Sequence, residues 1–169
     1  MIRPQAGTVE VQRSGQEAWK PLPAGNNARV KVGDALRTGS DGTVTLHWAD
    51  GTTLKIAPDS LLTIRKYQLE TKQPVQVSLL KLDLGKVWTR VSHELTGDSR
   101  FEIETPSAVA AVTGTIFSVT ATAEGTSVEV LDGSVDVTAG SQTKSIAKST
   151  VGTVTDGRRS EEHTSELQS

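Results

Sequence analysis

Residues 100–137 read RFEIETPSAVAAVTGTIFSVTATAEGTSVEVLDGSVDV. Phe101 and Ile103 alternate with Glu102 and Glu104, so an extended chain here has one apolar and one charged face. Thr105-Pro106 ends that strand, because proline has no N–H to continue a ladder. The small-residue run 107–112 (SAVAAV) is under two helical turns long, too short for a stable isolated helix. Gly114-Thr115 then opens a second alternating segment that carries Phe117. Val128 and Val130, a turn at Asp132-Gly133, and Val135 and Val137 follow in the pattern of a hairpin. This stretch predicts strands.

The same period of two extends outward along the chain. Val9 and Val11, Val30 and Val32, Val44, Leu46 and Trp48, and Leu54 and Ile56 form sets on single faces, with Thr43, Thr45 and His47 opposite. Turn signals recur at Ser14-Gly15, Gly33-Asp34, Asp41-Gly42, Asp50-Gly51, Gly97-Asp98 and Glu124-Gly125. The expected fold class is all-β. Residues 44–56 and 128–137 share the plan of strand, Asp-Gly, strand, but they are too dissimilar and too far apart for a repeat of fixed period. Short strands and hairpins in an irregular β-solenoid-like or twisted sandwich arrangement are therefore expected. Residues 65–77, interrupted by Pro74, are expected to be an exposed connection with Tyr67 at its base.

A chain of 169 residues suits a single domain with a proper core. The expected organisation is a short lead at 1–6, the all-β domain at 7–157, and a disordered tail at 158–169. The lead MIRPQAG has no apolar stretch of the kind a signal peptide needs. The tail RSEEHTSELQS lacks alternation and resembles a translated sequencing-library adapter, so it is set aside as an artefact. Both ends are expected to be cut from a longer natural chain. Setting aside Arg159, Glu161, Glu162 and Glu166 takes the 18 basic and 20 acidic residues to 17 each, a formal charge of zero. A neutral domain without a basic stripe argues against nucleic acid and anionic membrane surfaces as partners. No apolar run reaches the length of about 18 residues that a membrane helix needs. The absence of cysteine removes disulfides and thiol chemistry but fits either redox compartment.

Catalytic constellations are missing. There is no cysteine nucleophile and no G-x-S-x-G elbow, and outside the tail His47 and His93 are the only histidines. No H-x-H, C-x-x-C or H-E-x-x-H spacing suggests a metal, and neither G-x-G-x-x-G nor a P-loop suggests a nucleotide. Glu102 and Glu104 share a strand face, where solvated carboxylates are the ordinary outcome. No catalytic residue, metal ligand or cofactor is assigned. Of the three tryptophans, Trp48 is in phase with Leu46 and belongs to the core, whereas Trp19 and Trp88 are candidates for a contact surface.

The order of these elements resembles the FecR-type domain. Residues 33–64 (GDALRTGSDGTVTLHWADGTTLKIAPDSLLTI) carry the Gly33-Asp34 turn, Thr38, and Asp50-Gly51 between two strands. Residues 79–91 (LLKLDLGKVWTRV) look like the family segment in which a glycine, here Gly85, separates two apolar half-strands. Thr105-Pro106, Gly114-Thr115, Phe117 and Asp132-Gly133 complete the pattern, and the likeness covers residues 7–152. The resemblance implies a non-catalytic extracytoplasmic domain, in the periplasm or cell envelope, that contacts another protein in sigma-factor regulation. In such proteins the domain is joined through a membrane span, absent from this chain, to an anti-sigma region, and its partner is the signalling domain of an outer-membrane receptor. The alternative reading is a structural or glycan-contact module of the envelope with no sigma-factor link.

Overall fold

The computed structural model describes residues 1–69, 76–92, 98–112 and 114–155, together with the backbone of 164–168. Every regular element among them is a strand. They are β1 (Ile2–Ala6), β2 (Val9–Gln12), β3 (Trp19–Pro21), β4 (Ala35–Thr38), β5 (Thr43–His47) and β6 (Thr53–Ile56). Next come β7 (Leu61–Leu69), β8 (Gln76–Arg90), β9 (Arg100–Glu104), β10 (Val109–Val112) and β11 (Ile116–Thr122). The last are β12 (Gly125–Asp132), β13 (Ser134–Ala139), β14 (Gln142–Ala147), β15 (Thr150–Thr155) and β16 (Thr164–Gln168).

The strands form two sheets that share β8. One runs β1-β5-β6-β8-β11-β12-β15-β16. The other runs β3-β2-β4-β7-β8-β9-β10-β13-β14. All pairings are antiparallel except β8 with β9. After β4 the chain visits the sheets alternately, placing β5-β6, β11-β12 and β15 in the first sheet and β9-β10 and β13-β14 in the second. The result is an irregular coil of hairpins flattened into a twisted sandwich, and the all-β expectation holds.

The period-2 pattern explains how the sheets meet. Val44, Leu54, Val87, Phe117, Val119 and Val128 of the first sheet join Leu36, Leu62, Leu82, Phe101, Ile103 and Val135 of the second in one buried cluster. Trp48 meets Phe101 edge-on across the gap, with ring centroids 5.5 Å apart. The seam is β8. Residues 76–84 pair with β7, and 85–90 pair with β11. Between these halves Gly85 has φ +104°, and a Cβ there would strike the Ser60 side chain and come within 2.5 Å of the Ser60 Cα. Ser60 Oγ fills the notch by accepting the Lys86 N–H at 3.1 Å. Only glycine fits both the backbone angle and the close approach.

Three expectations change. Asp50-Gly51 does close the hairpin β5-β6, but Asp132-Gly133 joins strands of different sheets. Both edges of β12 are already taken, by β11 and β15, so β13 has no place beside it and crosses to β10. Gly133 (φ +88°) turns that corner, where a Cβ would lie 2.7 Å from the Gly114 carbonyl oxygen. The expected connection at 65–77 is largely sheet, since β7 continues to Leu69 and β8 starts at Gln76. Pro74 itself lies outside the described residues. Val30 and Val32 alternate without forming a strand. In the expected tail, the backbone of Thr164–Gln168 lies antiparallel along β15, whose outer edge presents the unpaired amides and carbonyls that any extended segment can use.

Candidate functional site

The turn residues singled out in the sequence tie segments together. Asp34 is buried at 2% exposure and accepts N–H bonds from Ser14 (3.0 Å) and Lys31 (2.9 Å) and an Arg13 Nη1 contact at 2.7 Å. Burial alone would raise its pKa; the two backbone N–H groups and the Arg13 guanidinium outweigh that and hold the carboxyl below its ordinary value. Thr38 Oγ1 donates to the Ala57 carbonyl (2.7 Å) and accepts the Ser60 N–H (3.0 Å). Asp50 accepts from the Thr52 N–H and hydroxyl, both at 2.9 Å, beside Gly51. Thr105 closes the turn containing Pro106 by accepting the Ala108 N–H (3.0 Å), and its hydroxyl meets that of Thr126 at 2.6 Å, tying the β9-β10 turn to β12. Thr115 Oγ1 donates to the Ser134 carbonyl (3.0 Å) beside the Gly114 and Gly133 corner, and Phe117 is fully buried. Asp132 is at the surface and pairs with Lys148 at 3.5 Å. These positions shape the fold.

Trp19 and Trp88 are not brought together. Trp88 follows the inward-facing Val87 and so lies on the outer face of the first sheet, 39% exposed, with Lys86 Nζ 4.9 Å and Lys55 Nζ 5.9 Å from its ring centroid. Trp19 sits on the outer face of the other sheet, opposite Gln12. The Arg37 guanidinium lies 4.3 Å from the Trp19 ring centroid and is itself held by Glu10 at 2.5 Å. That hydrogen bond keeps the Glu10 carboxyl below its usual range. The indole faces thus carry cations of the protein itself, which leaves less ring surface for stacking on a sugar.

A feature that alternation alone does not reveal lies at one end of the sandwich. A cavity of about 240 Å³ opens there, with Leu46, Ile64 and Leu80 as its floor and Trp48 and Tyr67 as aromatic walls. The Trp48 Nε1–H is used by Ser78 Oγ (3.2 Å), so the ring presents carbon to the space. Val32 and Tyr67, 47% and 41% exposed, stand at the mouth beside Lys31 and Lys66. The Asp34 carboxylate positions this rim, because it grips the Lys31 N–H while the Asp34 N–H donates to the Lys31 carbonyl (3.1 Å). Gly33 N–H to Ile64 O (2.7 Å) and Ile64 N–H to Asp34 O (3.0 Å) then fasten the loop to β7. The lining comes from five separate parts of the chain, which is why no local motif marks it.

Among the described residues no three His, Cys, Asp or Glu side chains gather as a metal site would require. His47 is exposed on β5, and His93 lies outside the described residues. No helix among the described residues is long and apolar enough to cross a membrane.

With this architecture in view, the sequence profile of the family described as FecR protein matches residues 34–136, well over half of the chain. The chain belongs to the FecR family. The match begins at the buried Asp34 and ends just past the Gly133 corner, so it spans the shared strand β8. No curated protein matches this FecR-family chain. Two crystal structures of a "putative anti-sigma factor" from Parabacteroides distasonis ATCC 8503 share its fold. One has a TM-score of 0.63 at 16% identity and the other 0.62 at 15%. Each comparison covers 79% of the FecR-family chain and 59% of the anti-sigma factor, so the likeness concerns part of that longer protein.

Proposed function

We propose that this FecR domain is a non-catalytic, extracytoplasmic protein-contact module in a sigma-factor signalling system, with the signalling domain of an outer-membrane receptor as its partner. The observation that carries the reading is the family match over residues 34–136, supported by a fold held in common with an anti-sigma factor. The surface agrees with it: the described residues offer an apolar, aromatic-walled recess with a basic rim. The envelope-spacer or glycan-contact alternative has less to rest on, because the two candidate tryptophans occupy opposite sheets and both lie under cations.

Competition in cells tests the proposal. The chain is exported to the envelope as a free domain, in excess over the native regulator, and ligand-induced transcription from the sigma-dependent promoter is measured. A contact module captures the receptor's signalling domain and blunts induction. Unchanged induction at large excess of the correctly folded domain would refute the role.

A further inference from the structure

We infer that the cavity bordered by Trp48 and Tyr67 is the docking site for a segment of a partner protein that inserts one bulky apolar side chain and carries a carboxylate beside it. This inference rests on the reading of the domain as a protein-contact module, and it names where and by what chemistry the contact is made.

Size is the first argument. Protein interiors are ordinarily close-packed, and the buried cluster of this domain extends to the floor formed by Leu46, Ile64 and Leu80. A space of about 240 Å³ open at that floor falls below the ~300 Å³ at which sites for whole drug-sized ligands begin. It is, however, the right scale for a single aromatic or large aliphatic side chain. Such an anchor in a desolvated pocket is the usual source of affinity at a protein interface.

The second argument is the mouth. Val32 and Tyr67 are among the few large apolar side chains left exposed, and both border this opening. An apolar collar around an apolar recess fits a ligand that continues beyond the pocket, as a polypeptide does.

Charge supplies the third argument. Lys31 and Lys66 line the cavity, and no Asp or Glu does. Among the described residues neither ammonium forms an ion pair. The nearest carboxylate in sequence, Asp34, faces inward and is engaged by Arg13, Ser14 and Lys31 N–H groups. The rim is therefore a held, unneutralised pair of cations beside an apolar hole, complementary to an acidic residue next to a hydrophobic one.

The experiment uses the whole chain, labelled for backbone-amide NMR, and three capped peptides of sequence Gly-Asp-Phe-Asp-Gly, Gly-Asp-Ala-Asp-Gly and Gly-Lys-Phe-Lys-Gly, with phenylacetate as a small-molecule probe. The acidic Phe peptide is expected to shift the amides of Lys31, Val32, Tyr67 and Leu80 saturably, and the other two peptides to bind at least several-fold more weakly. The double variant K31E/K66E, whose substitutions are at exposed positions, should keep its melting temperature. It should lose about tenfold in affinity for the acidic Phe peptide and gain for the basic one. Equal binding of the Phe and Ala peptides, or no effect of the charge reversal, would overturn the inference. So would phenylacetate binding as tightly as the peptide, which would mark a small-acid site instead. A native partner that binds the wild type and K31E/K66E equally would leave the protein-contact role standing while removing this cavity from it. Loss of the charge-reversed variant's binding alone ties the two together.

Discussion

Gly85→Ala strikes the residue on which both sheets depend. The backbone there sits at φ +104°, a conformation that costs an L-residue about 1–3 kcal/mol. The new methyl group would also overlap Ser60, whose Cα lies 2.5 Å from the Cβ position, so β6-to-β7 backbone must move; overpacking of this kind costs about 1–3 kcal/mol. Together these give a loss of about 2–6 kcal/mol, a large fraction of the roughly 5–15 kcal/mol that holds a domain folded. At about 2–4 °C per kcal/mol for a chain of this size, the midpoint should fall by roughly 8–16 °C for a 4 kcal/mol loss. Urea unfolding followed by tryptophan fluorescence, with calorimetry alongside, measures it. Ser60→Gly placed under Gly85→Ala should recover only the part of the steric share due to the Ser60 Cβ and Oγ, leaving the clash with its Cα and the backbone share. Ser60→Ala by itself removes the bond from the Lys86 N–H and the bond donated to the Pro58 carbonyl, and should cost about 1–3 kcal/mol. A Gly85→Ala domain within about 0.5 kcal/mol of wild type would refute the reasoning that β8 can pass between the sheets only through this glycine.

Three further outcomes are expected. Asp34→Ala strips a buried carboxylate from Arg13 and two backbone N–H groups and should cost about 3–5 kcal/mol at neutral pH. The folded-state pKa of Asp34 is lowered, so its contribution is complete above the unfolded value near ~3.9 and is lost as pH falls through the folded pKa. Denaturation of Asp34→Asn between pH 5 and pH 2 should accordingly show a shallower acid loss than wild type, and equal slopes would contradict the clamp. Thr89→Val removes a buried hydroxyl that has no hydrogen-bond partner among the described residues and should stabilise by about 1 kcal/mol, read as a rise of roughly 2–4 °C. Ending the chain at Gly157 removes the β15-β16 pairing, where a few net hydrogen bonds are set against the entropy of ordering five residues, so the melting temperature should move by no more than about 2 °C.

Much of the architecture was legible because solvent sorts side chains on a strand with a period of two. Val44, Leu46, Val128 and Val137 are all buried as their alternation requires, and Gly85 does divide β8 into two half-strands. What alternation cannot tell is which strand lies beside which. Asp50-Gly51 and Asp132-Gly133 read alike, yet one closes a hairpin and the other crosses between sheets, because the edges of β12 are taken by strands on either side of it in sequence. Arg65 to Gln68 were hidden for a related reason: their side chains are exposed along an outer stretch of β7, so no apolar face announces the strand. The tryptophans followed phase, with Trp48 packed on Phe101 and Trp88 turned out beside Val87. The buried role of Asp34 was not visible, since a Gly-Asp pair signals only a turn. The cavity was not visible either, because Lys31, Trp48, Lys66 and Leu80 meet only once β5, β7 and β8 are in place. Its one trace in the sequence is the Val30 and Val32 alternation, which has no strand partner and turns out to line that opening.

The central claim is that this FecR domain works by holding another protein. The most direct measurement is a calorimetric titration of the purified chain with the receptor signalling domain proposed as its partner, run in parallel with soluble cell-wall fragments. Saturable one-to-one binding of the signalling domain, with the cell-wall fragments silent, is the predicted result. Heat from the cell-wall fragments and none from the signalling domain would contradict the account and make the domain an envelope spacer.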